Sequence, residues 1–123
     1  MHVVVTTTLH HPGRQATSVD DFLYRGYDMR EFDSPAGTGV RGLAAEFIRS
    51  GKMISRYVYL LEGGDTLRSV NIYPTEKDYQ DMCDHPITIA AKEIWANRGW
   101  ERSVTIERCA ELIDIGTLYK CHD

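Results

Sequence analysis

Residues 54–73, ISRYVYLLEGGDTLRSVNIY, decide the fold of this chain. Both halves of the stretch are rich in β-branched and aromatic residues, which favours two strands, at 54–61 and 67–73. Between them residues 62–65 read Glu-Gly-Gly-Asp, and glycines supply the positive φ angles of a tight turn. The stretch therefore predicts a β-hairpin in the middle of the chain.

Helices are predicted on both sides of the hairpin. Before it, apolar residues recur three or four positions apart and form one helical stripe, made of Val40, Leu43, Ala44, Phe47 and Ile48. After it, Pro74 opens a second helix, which the proline of Asp84-His85-Pro86 divides. Further strands are predicted at 3–9 and 100–107. The order β-α-β-β-α-β predicts an α+β, ferredoxin-like antiparallel sheet with its helices on one face.

The chain has the length of one domain. Its 123 residues fit a single core, with an insertion at about residues 14–37 before the first long helix. Inside that insertion Ser18, with Asp21 three residues later, predicts the start of a short helix that runs through Tyr24.

Charge and cysteine content narrow the class of protein. The net charge is -4 and the Lys and Arg residues are scattered, so the footprint of a nucleic-acid binder is missing. No apolar stretch is long enough for export or for crossing a membrane, which predicts no membrane partner. An odd count of three cysteines without CxxC spacing argues against a disulfide scaffold and favours the reducing cytoplasm. The expected partners are copies of the chain itself and a small molecule.

Helices can cover only one face of such a sheet, and strand alternation assigns residues to the two faces. The set expected to face the helices is aliphatic and comprises Val3, Val5, Leu9, Val58, Leu60, Val70, Ile72, Val104 and Ile106. The opposite set is polar and aromatic and comprises Thr6, Thr8, His10, Ser55, Tyr57, Tyr59, Ser69, Asn71, Tyr73, Glu101, Ser103, Thr105 and Glu107.

The tyrosines of the second set predict a function for the face that the helices leave open. Tyrosine combines a large apolar body with a polar tip, which suits an interface and a ligand cavity alike. The face is therefore expected either to hold copies of the chain together or to bind a small molecule. In the second case the substrate-binding residues are Tyr57, Tyr59, Asn71, Tyr73 and Glu101.

His10 is the candidate catalytic residue. It ends the first strand on the tyrosine-bearing face, where a histidine can act as general acid or base. Two plainer roles stay open: His10 as a solvated loop residue, and Glu101 as an edge charge that discourages further strand pairing. Neither Cys83-x-His85 nor Cys121-His122-Asp123 has the spacing of a structural zinc site, so no metal is predicted.

The element order, the tyrosine-lined face and the segment VNIYPTEKDY at residues 70–79, followed by Asp84-His85-Pro86, resemble the dimeric α+β barrel superfamily, which includes antibiotic-biosynthesis-monooxygenase-like proteins. The resemblance covers roughly residues 38–108. It implies two sheets packed face to face around a cavity, so the open face would serve oligomerisation. The insertion at 14–37 departs from the pattern and could cap the cavity mouth or reach a neighbouring subunit.

The resemblance implies an activity but leaves the reaction open. Members of the superfamily include cofactor-independent monooxygenases, lactone isomerases and haem-dependent enzymes. The implied function is an enzyme acting on a hydrophobic or aromatic compound by oxygenation, isomerisation or proton transfer, without a cofactor. The alternative is a non-catalytic oligomerising or ligand-binding domain.

Overall fold

A computed structural model describes residues 1–25 and 40–113 of the chain. Its elements are, in chain order, β1 (His2–His10), α1 (Val19–Tyr24), α2 (Val40–Arg49), β2 (Ser55–Leu60), β3 (Thr66–Tyr73), α3 (Glu76–Asp84), α4 (Pro86–Asn97) and β4 (Glu101–Cys109).

The strands form one four-stranded sheet in the order β2-β3-β1-β4, with every neighbouring pair antiparallel. The hairpin partners β2 and β3 are adjacent, and β1 lies between β3 and β4. This is the ferredoxin-like arrangement that the sequence predicts, with the helices on one side. Strands β2 and β4 are the edges of the sheet.

The helix boundaries follow local chemistry. Ser18 caps α1 as predicted, because its Oγ accepts a hydrogen bond from the backbone N–H of Asp21 at 3.0 Å. The predicted proline break is also confirmed, since α3 ends at Asp84 and α4 begins at Pro86. His85, between the two helices, accepts a hydrogen bond at Nδ1 from the backbone N–H of Ile87 at 3.2 Å.

The hairpin loop holds the chain segment that precedes α1. The backbone N–H of Ala16 donates to the carbonyl of Gly64 at 2.8 Å. Gly64 has a φ of +75°, and a Cβ at this position would lie 2.3 Å from the Ala16 oxygen. Only glycine fits there, because any side chain would collide with backbone atoms.

The side chains of β3 point to the opposite faces of the sheet from those predicted. Directly paired residues of an antiparallel ladder point to the same face, and Val58 pairs with Ser69 while Val5 pairs with Asn71. We call the face under the helices the helix-side face; it comprises Val3, Val5, Thr7, Leu9, Arg56, Val58, Leu60, Leu67, Ser69, Asn71, Tyr73, Arg102, Val104 and Ile106.

The other surface of the sheet is the helix-free face. It comprises His2, Val4, Thr6, Thr8, His10, Ser55, Tyr57, Tyr59, Thr66, Arg68, Val70, Ile72, Glu101, Ser103, Thr105 and Glu107. The prediction that Val70 and Ile72 face the helices, and that Asn71 and Tyr73 do not, is therefore wrong. The aliphatic rule fails because Ser69, Asn71 and Tyr73 of β3 line a cavity, whereas Val70 and Ile72 face outward.

Two clusters of buried residues join the sheet to the helices. One comprises Val3, Val5, Leu43, Ala44, Phe47, Met53, Tyr73 and Met82. The other comprises Leu9, Ala16, Phe22, Leu23, Tyr24, Leu67 and Trp100. Within residues 1–25 and 40–113, no helix combines the length and hydropathy that a bilayer-spanning segment requires.

Candidate functional site

A cavity of about 660 Å³ lies between the helix-side face and the four helices. Its volume falls in the range of small-molecule sites, about 300–1,000 Å³. Most of its lining surface is apolar, and the aliphatic part comes from Val5, Leu9, Val19, Leu23, Val40, Ala44, Ala45, Ile48, Val58, Leu67, Met82 and Ala91. Helix α1 belongs to the predicted insertion, so the described part of that insertion forms one wall of the cavity. Residues 26–37 of the insertion lie outside the described residues.

Asn71 and Tyr73 form a polar pair in the cavity wall. The two residues are two positions apart on β3, and Nδ2 of Asn71 donates to the Tyr73 hydroxyl at 3.3 Å. Both side chains are buried, with 9% of Asn71 and 1% of Tyr73 exposed. Oδ1 of Asn71 accepts no hydrogen bond from any described residue. An unpaired buried acceptor costs about 1–3 kcal/mol, a penalty that a ligand hydroxyl in the cavity would remove.

Two tyrosines lie against each other in the cavity wall. The rings of Tyr73 and Tyr79 are 5.4 Å apart between centroids and tilted by 56°. Burial raises the pKa of Tyr73 to about 12, against the opposing effects of the Asn71 hydrogen bond and the Arg56 charge. Burial also raises the pKa of Tyr79 to about 12, and a hydrogen bond with Cys83 acts in the same direction. Near neutral pH both phenols therefore keep their protons and serve as hydrogen-bond donors.

Positive charge dominates the polar part of the cavity wall. The cationic residues among the described lining are Arg41, Arg56, Lys92 and Arg102, and the acidic one is Asp20. Asp20 forms an ion pair with Arg41 at 2.8 Å. The chain as a whole carries a net charge of -4, so this excess of positive charge is a property of the site and not of the composition.

The remaining predicted site residues lie on the helix-free face. His10 pairs with Glu101 in the β1–β4 ladder, and its Nδ1 lies 3.1 Å from Thr66 Oγ1. On the same face Tyr57 is 64% exposed and Tyr59 is 40% exposed. None of these four predicted residues lines the cavity.

The sheet thus divides the predicted site. It brings Asn71 and Tyr73 together in the cavity and places His10, Tyr57, Tyr59 and Glu101 on its other side. The catalytic role of His10 and the substrate-binding roles of Tyr57, Tyr59 and Glu101 stay predictions.

Sequence reasoning missed the remaining polar lining, of which Arg56, Tyr79, Lys92 and Arg102 matter most. A signal existed for Arg56. The four-residue loop at 62–65 places even-numbered residues of β2 opposite odd-numbered residues of β3, so Val58 on the helix side requires Arg56, Ser69 and Asn71 there too.

Within residues 1–25 and 40–113, no group of three or more His, Cys, Asp and Glu side chains could hold a metal ion. His85 instead caps α4, and its neighbour Cys83 lines the cavity. Residues 121–123 lie outside the described residues.

No protein-family model matches the sequence, and no curated protein matches it. Solved structures do match. A variant of SnoaB, a cofactor-independent oxygenase from Streptomyces nogalater, has a TM-score of 0.57 at 8% identity, over 91% of this chain and 96% of that chain. Rv0793 from Mycobacterium tuberculosis has a TM-score of 0.55 at 13% identity, over 93% and 100%.

A candidate antibiotic biosynthesis monooxygenase from Deinococcus radiodurans has a TM-score of 0.54 at 11% identity, over 91% of this chain and 96% of that chain. At such identities the likeness concerns the fold. The chain therefore has the ferredoxin-like fold that these structures share, as its sequence predicts.

Proposed function

We propose that this chain is an enzyme that binds a phenolic aromatic compound in the cavity between sheet and helices and oxygenates it without an organic cofactor. The observation that carries the proposal is the Asn71–Tyr73 pair within a mainly apolar wall. An aliphatic cavity favours an aromatic ring through removal of apolar surface from water. A few convergent polar groups then fix its orientation.

The polar pair offers complementary hydrogen-bonding groups. Oδ1 of Asn71 is an unpaired acceptor, so it can receive the proton of a ligand hydroxyl. The Tyr73 oxygen already accepts from Asn71, and its own proton is available for a ligand oxygen. A hydroxylated aromatic compound satisfies both groups at once.

The charge beside the pair favours the reactive form of such a ligand. Arg56 lies opposite Asn71 in the β2–β3 ladder and lines the same cavity. A nearby positive charge stabilises a phenolate over a phenol. The electron-rich phenolate can reduce O₂: one oxygen atom forms a new ring carbonyl, the other leaves as water, and the substrate supplies all the electrons. For α-naphthol the balanced reaction is naphthol plus O₂ to naphthoquinone plus water.

The fold comparison supports this reaction without establishing it. SnoaB, which shares the fold at 8% identity, is a cofactor-independent oxygenase. That activity belongs to SnoaB and enters here only as support for the choice of oxygenation over isomerisation.

A ligand-binding domain without catalysis is the second candidate. It is favoured by the raised pKa of Tyr73 and of Tyr79, since both phenols hold their protons and donate hydrogen bonds instead of acting as bases. In this case the cavity binds the same class of ligand and releases it unchanged.

Self-association through the helix-free face is part of the proposal. Val70 lies near the middle of that face, paired with Thr6 on one side and Tyr57 on the other. Together with Val4 and Ile72 it forms an aliphatic patch that the helices leave uncovered. Covering such a patch with the same face of a second copy would remove it from water.

Oxygen uptake with α-naphthol, in the presence of a metal chelator, tests the proposal. We expect enzyme-dependent uptake with naphthoquinone formed in equal amount, and its loss in Asn71→Leu. The matched control is Gln80→Leu, the same change of amide to alkyl on the exposed side of α3. Tight binding without oxygen uptake would favour the binding domain. Absence of both binding and oxygen uptake would refute the assignment of the cavity.

A further inference from the structure

Two cationic side chains of the cavity lack an ion pair and a hydrogen bond among the residues that the structure describes. Lys92, on α4, and Arg102, on β4, both line the cavity. Neither makes an ion pair or a hydrogen bond with a described residue, whereas Arg41, which lines the same cavity, is paired with Asp20. Like charges that line one cavity repel each other, and an anion bound by both would relieve that repulsion.

We propose that the ligand of this cavity is an aromatic acid whose negatively charged group binds to Lys92 and Arg102. This inference rests on the proposed function and narrows its substrate class. The ring would occupy the aliphatic part of the wall, the hydroxyl would meet Asn71 and Tyr73, and the acid group would meet the two cations.

The strand ladders place the two polar ends of the ligand apart. Arg102 pairs with Leu9, and Asn71 pairs with Val5 on the same strand. Val5 and Leu9 are four residues apart along β1, which corresponds to about 13 Å at roughly 3.3 Å per residue. The acid group and the hydroxyl therefore lie towards opposite ends of an elongated ligand.

Arg102 also has a simpler possible role. Strand β4 is an edge of the sheet, and an inward-pointing charge protects such an edge from pairing with another strand. That role requires no ligand and no contribution from Lys92. The two readings differ in whether both cations distinguish a charged ligand from a neutral one.

The test compares β-naphthoate with β-naphthamide, which have nearly the same shape but differ in charge. Binding of each to the full chain is measured by titration calorimetry at low salt. We expect naphthoate to bind about tenfold more tightly or better. At about 1 M ionic strength, where the Debye length is about 3 Å, most of this preference should disappear.

Substitutions assign the preference to the two cations. Lys92→Met and Arg102→Met keep most of the side-chain length and remove the charge. Each should weaken naphthoate binding about three- to tenfold and leave naphthamide binding within about twofold. The control is Arg49→Met, which removes an exposed charge at the end of α2, outside the cavity.

Equal binding of the two compounds would overturn this proposal while leaving the proposed function intact. A preference for naphthoate that survives both substitutions would also overturn this proposal, since other residues would then recognise the negative charge. Failure of both compounds and of α-naphthol to bind would refute the proposed function together with the inference.

Discussion

The side-chain amide of Asn71 donates a hydrogen bond to the hydroxyl of Tyr73 at 3.3 Å, and both residues line the cavity between sheet and helices. The arrangement leaves one acceptor of Asn71 unpaired in a buried setting. Buried polar groups are usually fully paired, so an exception at a cavity wall is characteristic of a binding site. We expect this pair to serve ligand recognition at some cost in stability.

The double variant Asn71→Leu/Tyr73→Phe should have a free energy of unfolding equal to or higher than that of the wild type. The two substitutions replace both polar partners with apolar groups and remove the unpaired acceptor. A buried acceptor without a hydrogen bond destabilises the folded state by about 1–3 kcal/mol. Urea denaturation measures this. The same variant should bind α-naphthol at least about tenfold more weakly. A strongly destabilised variant would show that the pair is structural.

Tyr73→Phe should change how stability depends on alkaline pH. The folded pKa of Tyr73 is raised from 10.0 to about 12, because burial disfavours the phenolate. The resulting stability is fully present below about pH 10 and is lost as the pH rises towards about 12. Its size is on the order of 2 kcal/mol.

Free energies of urea unfolding measured from neutral to alkaline pH test this dependence. Tyr73→Phe should reduce the alkaline fall in stability without abolishing it, because the pKa of Tyr79 is also raised to about 12. Tyr57→Phe, which removes the hydroxyl of an exposed tyrosine, should keep the full fall. An unchanged fall in Tyr73→Phe would mean that the Tyr73 phenol is accessible to water.

Gly64→Ala should destabilise the chain much more than Gly63→Ala. Both glycines have positive φ, which alone costs an alanine about 1–2 kcal/mol. A Cβ at Gly64 would also lie 2.3 Å from the Ala16 oxygen, whereas a Cβ at Gly63 meets nothing within 4 Å. The clash should add at least about 1–3 kcal/mol. Thermal unfolding of the two variants gives the comparison, and equal losses would contradict the close approach of the loop to Ala16.

Val70→Lys should produce a monomer. The substitution places a charge in the middle of the helix-free face, where we expect a second copy to pack. Size-exclusion chromatography with light scattering should show a dimer or larger oligomer for the wild type. Ile89→Lys, which adds the same charge at an exposed isoleucine of α4, should leave the assembly unchanged. A monomeric wild type would remove this part of the proposal.

Local patterns in the sequence were sufficient for the architecture. The apolar stripe of α2, the Ser18 cap and the proline at position 86 act within a few residues of their own position, so their outcome can be predicted without the rest of the chain. The order of elements then leaves few ways to arrange four strands.

The site was harder to predict, because its position depends on strand facing. A shift of one residue exchanges the two faces of a strand, and hydrophobicity misleads where a cavity needs polar walls and an exposed face is aliphatic. Asn71 and Tyr73 were predicted together and do lie together, but on the other face of the sheet from the one assigned to them. Lys92 and Arg102 come from separate elements, and no sequence pattern links them.

Chemical-shift mapping with α-naphthol under nitrogen tests the central claim, which is that ligands bind on the helix side of the sheet. In the absence of oxygen the compound binds without reacting. We expect the side-chain amide signals of Asn71 and the indole signal of Trp95 to shift during the titration, while signals of His10 and Tyr57 stay in place. Shifts confined to His10, Tyr57 and Tyr59 would contradict it and would place the site on the helix-free face.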